Sequence, residues 1–190
     1  VMYSGNTWLR KVIVGDFQAL FGQGITFWNG LAFGKSPFVL NIKKNALGLR
    51  QYSSVQEGNF LRGAGTTIGF GKFELTSFYS NKKIDAGVSF VADSTLTDDA
   101  FITSIPLGGL HRTENEINQR NRLQETVYGG NLKYTQGAFS AGFTAVRTEF
   151  NFPSAWDGDL YQKYDFTGYD NLTMGLDYQA VIKNTNLFGE

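Results

Sequence analysis

The residues that could do chemistry are few. Gly63-Ala64-Gly65-Thr66-Thr67-Ile68-Gly69 superficially matches a dinucleotide fingerprint. Its third glycine falls one position late, and the residues around it alternate like a strand. A phosphate cradle needs a helix N-terminus behind the glycines to supply free amides. Gly22-Gln23-Gly24 lacks the lysine and serine of a phosphate loop. His111 is the only histidine and sits beside Arg112 in a polar stretch with no nucleophile motif near it, so it reads as a solvated loop residue. Cysteine is absent, which removes disulfides, thiolate ligands and cysteine nucleophiles. Asp93, Asp98 and Asp99 lack calcium-loop spacing. No catalytic residue, cofactor site or metal site is therefore expected, and the chain is not expected to be an enzyme.

Charged residues inside strand-like segments carry more information: Arg10, Lys11, Arg62, Glu74, Lys133, Arg147 and Asp177. A basic side chain facing lipid near the bilayer midplane costs ~2–4 kcal/mol. Glu74, Lys133, Asp177 and Gln179 are accordingly expected to line a lumen. Arg62 and Arg147 fall on aromatic-bearing faces, so they are expected near an interface. Lys43-Lys44-Asn45-Ala46, running on to Tyr52, reads as a solvated loop or an inward-folded strand continuation, with an acidic ligand or lipid phosphate as the alternative partner.

The elements that hold these residues are strands. Leu172, Met174, Leu176, Tyr178, Ala180 and Ile182 share one face, with Thr173, Gly175, Asp177 and Gln179 opposite. That strict period of two is the strand signal, and the run is about long enough to span a tilted bilayer crossing. Thr126 to Tyr134 and Phe139 to Ala145 repeat it as a hairpin around Gln136-Gly137. Phe60–Phe70, Phe73–Ser80 and Ile84–Val91 form another group, and Trp8–Gly15 with Phe17–Phe27 reads as a pair broken at Gly15-Asp16. Tight turns at 71–72, 136–137 and 183–185 alternate with long polar connections at 93–123 and 151–168. Structureless loops beyond ~12–15 residues are rare in compact domains but routine on one side of outer-membrane barrels. Within the first long connection, Thr113 and Glu116 have the spacing of a capping box that would start a short helix.

Composition agrees. Aromatics make up 15% of the 190 residues, and Gly 23 against Pro 3 favours strands and turns over helices. Trp8, Phe27, Trp28, Tyr79, Tyr134, Trp156, Tyr161 and Tyr164 fall near strand ends, as an interfacial aromatic girdle would require. No run approaches the ~18 apolar residues of a membrane helix, and mean hydropathy is −0.22, but alternation averages out the hydropathy of a barrel. Lys+Arg and Asp+Glu both total 17, so no net field draws nucleic acid. Val1-Met2-Tyr3-Ser4 has no signal-peptide pattern, and both ends read as cut from something longer.

Several runs resemble a family of Bacteroidota outer-membrane proteins. The most specific is Gly15-Asp16-Phe17-Gln18-Ala19-Leu20-Phe21-Gly22-Gln23-Gly24, followed by Gly30 to Ser36. Lys43 to Ala46 with Gly48-Leu49-Arg50, Asn59 to Gly63, Phe73 to Ser80 and Gly109 to Thr113 extend the resemblance over nearly the whole chain. The resemblance implies a large barrel, usually named after a helix-hairpin-helix segment that precedes it. That segment is not recognisable here, so no DNA-related role carries over, and no catalytic or ligand residue is transferred.

The expectation is an all-β fold: one antiparallel transmembrane β-barrel domain over residues 1–190, incomplete at both ends, with roughly eight to ten strands of a larger barrel. Such a chain would sit in the cell outer membrane as a passive channel, uptake or assembly component. Its partners would be outer-membrane lipid and other envelope proteins, with no nucleic acid and a solute the sequence does not name. The competing expectation is a soluble extracellular β-sandwich that binds carbohydrate through exposed aromatics. A third is an outer-membrane enzyme using His111.

Overall fold

A computed structural model of the chain describes residues 1–30, 42–54, 58–90, 100–106, 108–109, 111–154 and 166–190. They form one eleven-stranded sheet and one short helix: β1 (Met2–Ser4), β2 (Leu9–Leu20), β3 (Gly48–Gln51), β4 (Leu61–Phe70), β5 (Phe73–Ile84), β6 (Gly87–Phe90), β7 (Ala100–Ser104), α1 (Glu114–Asn118), β8 (Leu123–Gln136), β9 (Phe139–Ser154), β10 (Gly168–Ile182) and β11 (Thr185–Gly189). The main order is β1-β2-β4-β5-β8-β9-β10-β11, with β3 added to β2 and the β6–β7 pair attached to β9. Pairing is antiparallel except for the single Ile102–Ser154 contact of β7 with β9. The all-β antiparallel class is as expected. The strand number is higher, because the connection at 93–123 contains β7 as well as α1, and because Gly48–Gln51 pairs with Phe17–Leu20. That pairing makes a strand of Gly48–Gln51 alone within the basic segment; Lys43 to Leu47 precede it outside any strand. No pairing joins β1 to β11 among the described residues, so the sheet is not closed.

One expected hairpin is absent. Gly15-Asp16 does not turn the chain; β2 runs straight through it, with Gly15 opposite Gly63 and Asp16 opposite Arg62. Gly15 has φ +106, which glycine adopts without reversing direction. The alternation explains the continuity: Ile13, Phe17 and Ala19 stay in phase across the break and are all buried. Phe21 to Phe27 is instead a loop.

Connections of unlike length sit at opposite ends of the strands. Residues 5–8, 71–72, 137–138 and 183–184 make tight turns at one end, where Gly71, Gly137 and Lys183 adopt left-handed backbone. β2, β5 and β9 finish at the other end, here termed the loop end. The sheet curls. The loop after β2 crosses its inner face and reaches the far edge, where Glu190 accepts hydrogen bonds from the amides of Gln23 (2.7 Å), Ile25 (2.9 Å) and Thr26 (2.8 Å). Gly175 of β10 leaves room for Thr26; a Cβ there would collide with Thr26 Oγ1.

The core lies inside this curl. Phe78 is its hub, stacked on Phe21 and Phe27 and edge-on to Phe17 at centroid distances of 6.1, 5.6 and 6.2 Å. Ile13, Leu49, Leu61, Val127 and Val146 complete the layer. A second cluster of Ala86, Ile102 and Leu123 fills the loop end, packed against Phe150 and Phe152.

Candidate functional site: two faces and a loop-end cavity

Because the register is continuous, each face can be read as cross-strand rows. On the inner face, Glu74 of β5 lies opposite Lys133 of β8, Lys133 opposite Gly142 of β9, and Gly142 opposite Asp177 of β10. Gly142 has a local reason: a Cβ there would strike the Asp177 carboxylate, so the missing side chain lets Asp177 lie over β9 toward Lys133. The structure therefore brings three of the four expected lumen residues into one row near the turn end. Gln179 lies one inward position further along β10, opposite Ser140 and Phe188.

The next inner row is neutral and buried. Thr67, Thr76, Asn131 and Thr144 follow one another across four strands and end on Gly175. Thr67 and Thr76 hydroxyls are 3.0 Å apart, and Asn131 Nδ2 donates to Thr144 Oγ1 at 2.9 Å, so these buried groups are satisfied. The Phe78 layer follows. Above it, the inner face is charged again at Lys82 and Glu125, which stand opposite each other with Nζ to Oε2 3.5 Å. The described interior thus runs from a charged row, through a polar rung and an apolar layer, to a charged loop end.

The outer face is layered in the opposite sense. Phe70, Phe73, Tyr134, Ala141 and Tyr178 make an aromatic row at the turn end, with Phe70 stacked on Phe73 and Phe73 tilted against Tyr134. Ile68, Leu75, Leu132, Phe143 and Leu176 form a wholly apolar row beside it. A row of small and apolar side chains follows, ending on Met174, and then one holding Tyr79, Tyr128 and Leu172. Leu172, Met174 and Leu176 are 52, 60 and 71% exposed, and no second sheet among the described residues covers them.

Charge enters the outer face only at its loop-end margin. Arg147 stands beside Tyr128 and pairs with Asp170 (2.9 Å) and Glu149 (3.1 Å). Arg62 makes a two-pronged pair with Asp16 (2.7 and 3.1 Å). Both arginines hence stand at the edge of the apolar rows, each with a carboxylate partner. Of the remaining strand charges, Lys11 donates to the carbonyls of Leu47 and Leu49, and Arg10 lies across Gly69 at the bulge between Leu9 and Lys11.

A cavity of about 680 Å³ opens at the loop end. One wall is aromatic: Tyr52 stacks on Phe60 (5.4 Å), and Phe60 also faces Lys82 (4.9 Å) and Arg62 (5.1 Å). The opposite wall contains His111, whose Nε2 is 2.7 Å from Asp85 Oδ2, while Asn121 N–H donates to Asp85 Oδ1 at 2.9 Å. His111 is thus a half-buried, carboxylate-bound residue and not the solvated loop histidine that the sequence suggested. Its partner precedes it by 26 residues, a distance no local motif signals. Tyr52 closes the basic segment that the sequence singles out, but Asp85 and Arg120 carry no signal there, because only the folding of three loops brings them to one space.

The capping box formed as its spacing required. Thr113 Oγ1 accepts from Glu116 N–H (3.3 Å), and Glu116 Oε2 accepts from the amides of Arg112 (2.7 Å) and Thr113 (3.1 Å). Those backbone donors hold the Glu116 carboxyl below the usual carboxylate range. Trp8 lies next to the start of β2 and Tyr134 near the end of β8, whereas Tyr79, expected near a strand end, lies in the middle of β5; Asp93, Asp98, Asp99, Trp156, Tyr161 and Tyr164 lie outside the described residues. No helix among the described residues is long and apolar enough to cross a membrane, which says nothing about crossing with strands. No protein-family model, curated protein or solved structure matches the chain.

Proposed function

We propose that this chain is the membrane-spanning part of an outer-membrane β-barrel, acting without bond chemistry as a solute path or assembly component. The observation that carries this reading is the order of the outer rows. An apolar band lies between an aromatic row at Phe70, Phe73, Tyr134 and Tyr178 and a second at Tyr79 and Tyr128. Six strand positions separate the two, about 20 Å along the strands at ~3.3 Å per residue. Apolar bands of barrels are ~25 Å tall and flanked by aromatic girdles. In water this band would be a contiguous exposed apolar patch, which soluble monomers rarely tolerate. Lipid as its cover also accounts for the absence of unpaired charge within it.

The inner face supports the second half of the reading. Glu74, Lys133, Asp177 and Gln179 would line a polar lumen at the turn end, while Phe17, Phe21, Phe27 and Phe78 fill its middle. A lumen blocked by an apolar layer fits a gated or assembly-linked path better than a freely open pore. The resemblance to Bacteroidota outer-membrane proteins points the same way. The β-sandwich alternative would need a second sheet over Leu172, Met174 and Leu176, and all the described strands belong to one.

The test is extraction followed by electrophoresis with and without boiling. A protein that leaves membranes only with detergent, and changes mobility on heating, is the expected outcome. A protein that stays in aqueous solution as a monomer, with one mobility, would return the apolar band to some other cover and overturn the proposal.

A further inference from the structure

Residues 21–29, the loop that crosses the inner face, are closed on themselves. The chain folds back at the end of β2, so that Trp28 bridges Leu20, Phe21 N–H donates to Phe27 O (3.4 Å) and Asn29 N–H donates to Ala19 O (3.1 Å). The Gln23 side chain braces this unit from outside, accepting from Lys44 N–H (2.9 Å) and donating to Lys44 O (3.3 Å). Against the far strands, the hydrogen bonds of its tip among the described residues converge on one side chain. The Glu190 carboxylate takes the amides of Gln23, Ile25 and Thr26. Gly22 and Gly24, with φ of +56 and +81, turn those amides toward it, and a Cβ at Gly22 would strike the carboxylate.

The seat of the tip is polar. Thr26 fits over Gly175, where the rung of Thr67, Thr76, Asn131 and Thr144 ends, and these buried side chains are bonded to one another. Such groups contribute less to a permanent core than apolar side chains would, whereas a wall that becomes wet when the unit leaves needs them. Departure leaves the rung bonded as before. It also returns Glu190 to a charged row, because Gly189 pairs with Tyr178 and Glu190 stands next in register to Asp177. The rings of Phe21 and Phe27 on Phe78 form the seal, and the carboxylate with its three amides fixes the unit over it. We infer that residues 21–29 are a plug, closed at rest and latched by Glu190, whose release opens the path through the curl. The inference deepens the membrane-path reading given above and rests on it.

The test is conductance of potassium chloride through the protein in planar bilayers, with the latch removed and a lock added. Glu190→Ala removes the latch and is expected to raise conductance about tenfold or more, the worth of at least one hydrogen bond to a charged group. The lock is Thr26→Cys with Gly175→Cys. The chain has no cysteine of its own, and a Cβ at position 175 would lie 3.0 Å from Thr26 Cβ, near the ~3.5–4.5 Å of a disulfide. In the triple variant, conductance should fall to the parent value on oxidation and rise again with dithiothreitol, a reversal that a leak from misfolding cannot produce. Conductance unchanged in Glu190→Ala, or equal in the oxidised and reduced triple variant, would overturn the inference. So would a cysteine pair that forms no disulfide by mass, since Thr26 would then not be seated at Gly175. The heat shift reports separately: a heat-shifting protein whose conductance ignores the lock keeps the barrel and loses the plug, and a protein with no heat shift loses both.

Discussion

Leu176 shows how one side chain can report on the solvent around a fold. It is 71% exposed, lies in the wholly apolar outer row, and stands opposite Phe143. In water, a polar substitution at so exposed a position shifts stability by no more than about 0.5 kcal/mol. In a bilayer, an arginine near the midplane costs ~2–4 kcal/mol. Leu176→Arg is therefore expected to lower folding stability by that larger amount when the chain is refolded into lipid vesicles and titrated with urea. A change near zero would mean that the face is wet. Asp177, its neighbour in sequence, points the other way, and Gly142 makes space for its carboxylate. The face of Asp177 was legible because a period of two assigns every residue on a strand once one is assigned. The contribution of Gly142 was not, because it depends on a partner strand 35 positions away.

At the level of elements, local rules held where the interaction was local. The Thr113–Glu116 capping box needs only four consecutive residues, and α1 starts where that spacing placed it. Thr113→Ala removes the side-chain acceptor at the cap and should cost the helix about 1 kcal/mol, with the sheet unaffected. Amide exchange at residues 113–119 should accelerate roughly fivefold, the same 1 kcal/mol expressed as a ratio. The Glu116 half of the box depends on pH in one direction. Its carboxyl is held below its ordinary value, so its contribution is present above that value and fades as pH falls through the lowered one. Protection at Arg112 and Thr113 is therefore expected to drop on acidification, and no change would remove Glu116 from the cap. The Gly15-Asp16 hairpin failed for the opposite reason. A Gly-Asp pair is a turn signal in isolation, but Gly63 and Arg62 on β4 hold the strand extended through it.

For the whole molecule, the decisive arrangement is the curl that brings the loop after β2 against the far strands. Phe78 sits where sheet and loop meet, and it touches Phe17, Phe21 and Phe27. Truncating a buried aromatic costs about 3–5 kcal/mol, from lost transfer energy and the cavity left behind. Phe78→Ala should lose that much in denaturant unfolding and should also release the loop, seen as faster proteolysis at Lys44, whose backbone amide and carbonyl are bonded to the Gln23 side chain. Lost stability with unchanged proteolysis would show that the loop is held by Glu190 and its three amides alone.

Alternation, turn glycines and unequal connections determined from sequence alone that this chain is an antiparallel strand protein, which face of β4, β5, β8, β9 and β10 carries its charges, and where α1 begins. These follow from geometry that repeats every two residues or closes within four. The tertiary structure decided what repeats cannot specify. It set which strands are neighbours, and hence the rows that align Glu74, Lys133 and Asp177. It also set the filling of the interior by a loop, and the meeting of Tyr52, Asp85, His111 and Arg120 around one cavity. Each of these depends on residues tens of positions apart, joined only after the sheet curls, and no local preference encodes that distance.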